Sequence, residues 1–191
     1  MANYIETNQI DEAMRQILKH VIGKTLVKVK AEEPAYGLND YTGAIGLFFS
    51  DGMAIQIEND IVVKQHYNTK EDCGALTVMT IEPDEYTSGV VDEKIVEYTI
   101  GEEVTDIKIV TDHIADKIGD VSFDLTIDIA IVFEMGESAL VFDKGWIFST
   151  ESIYIHETNN YMEKLRNAYD DWHNDEDDNH PICERSICSV Q

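Results

Sequence analysis

The chain is short of positive charge. Its 191 residues carry 14 Lys and Arg against 38 Asp and Glu, a formal net charge of −24. The deficit is uneven: up to Ile81 there are 11 acidic and 7 basic residues, and from Glu82 onward 27 and 7. Such a surface repels nucleic acid and anionic lipid and attracts cations at long range, so the expected partners are metal ions or strongly basic proteins. Cysteine is also scarce. Cys73, Cys183 and Cys188 cannot close a disulfide framework, which fits a reducing compartment. No apolar run approaches the ~20 residues of a membrane span, and the N-terminus has no basic-then-apolar leader, so a soluble, cytoplasmic protein is expected. Catalytic signatures are missing too: there is no glycine-rich phosphate loop, Gly-x-Ser-x-Gly, His-Glu-x-x-His or dinucleotide fingerprint. The expectation is a non-enzymatic protein that needs no cofactor.

What is present is the material of a folded domain. Hydrophobic residues make up 43% and charged residues 27% of the chain, ordinary proportions for a globular protein. Ile10, Ala13, Met14, Ile17, Leu18 and Val21 recur at helical spacing, with Asn8 as a cap and Gly23 as a terminator. After Gly23 the period falls to two, which marks strands. These are Leu26 to Lys30, Ala44 to Ser50, Met53 to Glu58, Ile61 to Gln65 and Ala75 to Ile81, with Asp51-Gly52 and Asn59-Asp60 as turns. Glu82 to Gly89, with Pro83 and Gly89, reads as a long loop or linker. Val121 to Phe133 shows the longest alternation, with every odd-numbered residue apolar. Ala139 to Asp143, Trp146 to Ser149 and Ser152 to His156 follow as shorter strands. From about Thr158, the spacing of Tyr161, Met162, Leu165, Tyr169 and Trp172 predicts a closing helix.

The predicted fold is α+β: an antiparallel sheet with an N-terminal and a C-terminal α-helix. Two stretches, 22–66 and 100–156, share a weak pattern of Ile-Gly, strand and hairpin, which suggests duplicated β-units forming one curled sheet or barrel. Residues 1–174 would form this single domain, and 175–191 an acidic mobile tail.

The acidic stripe of the long strand is the strongest site signal. Alternate strand residues point the same way, so Asp120, Ser122, Asp124, Thr126 and Asp128 form a row with roughly 6.6–6.8 Å between neighbours. Carboxylates so arrayed can stand in for phosphates toward a protein that holds nucleic acid with Lys and Arg. A solvated sheet face or a charge-guarded edge strand would show the same pattern. Asp112, Asp116, Glu102 and Glu103 extend the acidic region, and Trp146 beside Gly145 is a candidate anchor for a partner. In the tail, His173, His180, Cys183 and Cys188 together with aspartates could ligate a metal.

Being small, acidic, cytoplasmic and free of enzyme motifs, the chain is similar in gross character to the anti-restriction and anti-CRISPR proteins of phages and to immunity proteins for nuclease toxins. That resemblance implies an inhibitor occupying the basic nucleic-acid-binding surface of a partner protein, with a toxin immunity protein as one alternative. A metal-binding protein or metal-dependent enzyme built on the C-terminal cluster is the other.

Overall fold

Period-two alternation dominates the chain after Gly23, and strands dominate the structure. The computed structural model describes residues 2–33, 40–66, 69–89, 94–118, 120–145, 148–165 and 182–191. Their elements are β1 (Ala2–Asn8), α1 (Glu12–Val21), β2 (Thr25–Glu32), β3 (Asp40–Thr42), β4 (Ile45–Phe49), β5 (Ala54–His66), β6 (Thr69–Ile81), β7 (Ile95–Glu103), β8 (Asp106–Ile118), β9 (Val121–Met135), β10 (Ser138–Asp143), β11 (Ser152–Thr158) and β12 (Ile182–Ser189). One sheet has the order β6-β5-β4-β2-β7, and the other runs β12-β8-β9-β10-β11-β3 with β1 also beside β9. Both are open sheets with free ends, which corrects the expectation of one curled sheet or barrel. The similar stretches 22–66 and 100–156 each place strands in both sheets, since β3 joins β11 and the end of β7 joins β2. No described helix is long and apolar enough to cross a membrane.

The helix begins later than Asn8. Asp11 is its N-cap, its side chain accepting from the Met14 backbone N–H at 2.8 Å, while β1 takes up Asn8 and pairs parallel to β9. Asn59-Asp60 does not turn the chain, because β5 runs through it as one strand paired with β6. The Asn59 amide instead donates to the Ser149 and Ser152 carbonyls at 2.9 Å each, a long-range use of a residue that locally reads as turn chemistry. The loop Glu82–Gly89 is pinned rather than slack: the single Tyr86 hydroxyl hydrogen is shared between the Ala44 carbonyl at 2.8 Å and the Lys30 carbonyl at 3.1 Å.

A C-terminal helix is not found in the described residues. After β11 there is only a 3₁₀ turn, Tyr161–Glu163, with Met162 47% exposed; Tyr169 and Trp172 lie outside the described residues. The far end of the expected mobile tail is also different. Ile182–Ser189 pairs with β8 over its whole length, and Val190 beyond it is buried. The charged run before it masked a short alternation, Cys183, Arg185 and Ile187 against Glu184, Ser186 and Cys188, that suits a strand.

β9 organises the core. Of the odd-numbered residues expected to be buried from Val121 to Phe133, Val121 is half-buried and the rest are buried, as is Met135 beyond them, but they serve two separate clusters. Phe123, Leu125, Ile127 and Ile129 pack with Val110, Ile114 and Val141, whereas Ile131, Phe133 and Met135 pack with α1 and the other sheet. The cause is a β-bulge: the register with β8 shifts between Val110 opposite Ala130 and Thr111 opposite Asp128. An extra residue in one strand turns the following side chains to the other face. On the opposite edge of β9, β1 covers 121–127 and β10 covers 130–135, so the bulge sits where these two neighbours meet.

Gly74 of β6 meets this region. A Cβ at this position would collide with the Ser149 carbonyl oxygen and with Asn59 Oδ1, and the former, being backbone, cannot swing away. Gly74→Ala should therefore cost at least the ~1–3 kcal/mol typical of overpacking. Urea denaturation measures this, and an unchanged midpoint would contradict the packing described.

Candidate functional site

The predicted acidic stripe lies ahead of the bulge, and its two ends differ in cover. In its first part, Ser122, Asp124 and Thr126 lie half-exposed on an open sheet face. Residues paired across the strands share this face: Ile5 and Thr7 of β1, His113 of β8 and Glu184 of β12. Ile5 is 69% exposed, an apolar side chain set among carboxylates and hydroxyls. Asp124 Oδ1 lies 3.0 Å from His113 Nε2. Asp120 is exposed in the turn that leads into β9, and Glu184 is exposed at the far side of the face.

Asp128 is at the closed end of the row. It is 1% exposed, and α1 covers it: its carboxylate accepts from the Ile10 backbone N–H at 2.8 Å and from Thr111 Oγ1 at 2.6 Å, with Arg15 at 3.9 Å. Asp112 belongs to the opposite face of the sheet and is 0% exposed. Arg185 grips it through two parallel hydrogen bonds, Nε to Oδ1 at 2.7 Å and Nη2 to Oδ2 at 2.8 Å, the strongest geometry for such a pair. Asp112 and Asp128 are thus internal groups, and their place on a docking surface is corrected.

The remaining predicted residues are dispersed. Asp116 is half-exposed on the face opposite Asp124, and its carboxylate accepts from the Lys117 N–H. Glu102 and Glu103 are exposed on β7, an end strand of the other sheet. The Ser138 hydroxyl reaches Glu102 at 3.5 Å, which places that pair near the far end of β9, roughly 35 Å from Asp124 along the strand. Trp146 lies outside the described residues.

The metal reading is corrected as well. Among the described residues, no group of three or more His, Cys, Asp or Glu could hold a metal ion. Cys183 and Cys188 are five residues apart on one strand, so they point to opposite faces; His173 and His180 lie outside the described residues. Cys73 is no better placed as a nucleophile, because burial pushes its thiol up against the opposing pull of Lys144 and Lys64, away from the reactive thiolate.

Sequence reasoning missed the inward charges. Lys144 follows β10 and is 0% exposed; its Nζ donates to the Gly74 carbonyl, as does Asn8 Nδ2. Its only advance signal was position, directly after the buried run of β10. A separate cavity of about 440 Å³ is lined by Glu58, Asp60 and Glu151 with Asn59, Ile61, Ser88 and nearby backbone, and among the described residues no Lys or Arg lines it. Burial and the charge of Asp60 raise the Glu58 carboxyl above its usual range, against a hydrogen bond from Gln56.

Arg185→Met should destabilise the fold by about 3–5 kcal/mol, because it removes the guanidinium that the buried Asp112 carboxylate faces. Adding Asp112→Leu should recover most of the loss. Equal stability of parent and single variant in chemical denaturation would show that the pair contributes nothing.

Comparisons of the chain with protein-family models, curated proteins and solved structures give no match.

Proposed function

We propose that this chain is a non-enzymatic binding protein whose acidic exterior occupies the basic, nucleic-acid-binding surface of a partner protein. The observation that carries this reading is the distribution of cations. Eight of the chain's 14 Lys and Arg side chains are engaged by its own carboxylates: Arg15, Lys24, Lys28, Lys30, Lys64, Lys94, Lys108 and Arg185. Lys144 is buried. Pairing cancels charge one for one, and among the described carboxylates Asp112, Asp128 and Asp143 are the buried ones, so the negative excess remains outside, where it is available to a cationic partner.

Within that exterior, the open face of β1, β9, β8 and β12 is the best docking surface. It offers Asp124 and Glu184 on rigid strands, hydroxyls from Thr7, Ser122 and Thr126, and one exposed apolar anchor, Ile5. Interfaces of this kind combine a central apolar contact with a polar rim. The cavity lined by Glu58, Asp60 and Glu151 supports the same sign of ligand, since among the described residues it presents carboxylates and no Lys or Arg. Carboxylates facing Lys and Arg accelerate encounter and select against acidic partners.

The test is affinity capture from a cell lysate at low and at high salt, followed by nucleic-acid-binding assays on whatever is retained. The reading predicts retention of a basic protein at low salt only, with its nucleic-acid binding blocked by this chain. Asp124→Asn with Glu184→Gln should leave the fold intact and weaken that capture, chiefly through slower association. A captured protein held equally at both salt concentrations, and still able to bind nucleic acid, would reject the proposal.

A further inference from the structure

Lys144 is buried at the place where the two sheets touch. Its backbone N–H donates to the Ile129 carbonyl at 3.0 Å, filling the gap on β9 between the ends of β1 and β10. Its side chain crosses to the edge of β6 and donates to the Gly74 carbonyl. Asn8 at the end of β1 donates to the same oxygen. A carbonyl has two lone pairs and can accept both. These two side chains thus tie the outer edge of β6 to the seam of the other sheet.

The chemistry of this clasp depends on the proton count of the amine. An ammonium has three hydrogens to place and a charge to compensate; a neutral amine has two hydrogens and no charge. Among the described residues, no carboxylate lies within ion-pair distance of Lys144. The charged and titratable groups facing it come from every neighbouring element, and each has other engagements. Cys73 faces it from β6, with Lys64 of β5 beside the thiol. Asp128 of β9 is held by the Ile10 N–H, Thr111 and Arg15 of α1. Asp143, at the end of β10, accepts from the Gly145 N–H, and Asp112 of β8 is gripped by Arg185 of β12.

We infer that Lys144 is a proton-sensitive clasp between the two sheets, tight when the amine is neutral and weaker when it is charged, so that proton uptake favours release of the β6 edge. Burial lowers the Lys144 amine from its ordinary 10.5 to about 7, against the opposing pull of Cys73, Asp128, Asp143 and Asp112. The closed state therefore binds fewer protons than the open state between these two values. The clasp strengthens as pH rises from about 7 toward 10.5 and has a constant, lower strength below 7. Once released, Lys144 regains water, and Cys73 and the edge of β6 become accessible.

Amide hydrogen exchange on the intact chain tests this, with rates corrected for the intrinsic pH dependence. Protection of Cys73 to Leu76 in the parent should rise about tenfold per pH unit above 7 and level off below it. Lys144→Met should abolish that slope, while protection in β4 should not depend on the clasp in either protein. A flat profile in the parent, or the same slope in Lys144→Met, would overturn the inference. Should Lys144→Met fail to fold, the ¹³C shift of the Lys144 ε-carbon in the parent decides: a transition near 7 supports the clasp, and one near 10.5 rejects it.

Discussion

The fold turns on one extra residue in β9. The bulge beside Ile129 lets a single strand of 15 residues serve two cores. Its first half presents Phe123, Leu125 and Ile127 to one cluster and leaves Ser122, Asp124 and Thr126 open; its second half sends Ile131 and Phe133 toward α1 and the other sheet. Without the bulge, α1 would find no apolar surface at Ile131 and Phe133. The same irregularity separates β1 from β10 and makes room for Asp128 and Lys144. A local break in a hydrogen-bond ladder thus positions the internal charges, the helix and the open polar face together.

Buried charges are costly, and here they are distributed so that each meets compensation of a different kind. Asp112 has a bidentate guanidinium, Asp128 has a backbone N–H, a hydroxyl and a nearby arginine, and Lys144 has a carbonyl and a lowered affinity for its proton. Ion pairs in the interior need such geometry, because desolvation removes several kcal/mol per ion before attraction returns any of it. Of the paired cations, Arg15 and Arg185 meet buried carboxylates, while the lysines pair with carboxylates that solvent reaches. Among the described residues three carboxylates and one lysine are buried, so nearly all of the chain's negative excess stays on the exterior, which is the physical basis of the proposed preference for basic partners.

Sequence periodicity reads well where one rule governs a segment. The stripe from Ile10 to Val21 predicts α1, and the alternation from Val121 predicts β9, because each buries one face along its length. It reads poorly where long-range contacts decide. Asn59-Asp60 looks like a turn, but its amide is held by two carbonyls some 90 residues away in sequence. Tyr161, Met162 and Leu165 have helical spacing, yet the described chain makes only a 3₁₀ turn there. Ile182–Ser189 was hidden behind an acidic run and becomes a strand because β8 has a free edge for it. The candidate site was legible in part: Asp120 and Asp124 are on the outside as the alternation predicts, whereas Asp112 and Asp128 carry no local mark of the arginines that take them inward.

The central claim is that the aspartates divide into an internal set that supports the fold and an external set that meets a partner. Carbodiimide labelling of carboxylates in the native protein, read residue by residue by mass spectrometry, tests that division directly. Asp112 and Asp128 should remain unmodified until the protein unfolds, while Asp120, Glu184, Glu102 and Glu103 react at once. Asp112 or Asp128 reacting as fast as these surface carboxylates would contradict the account.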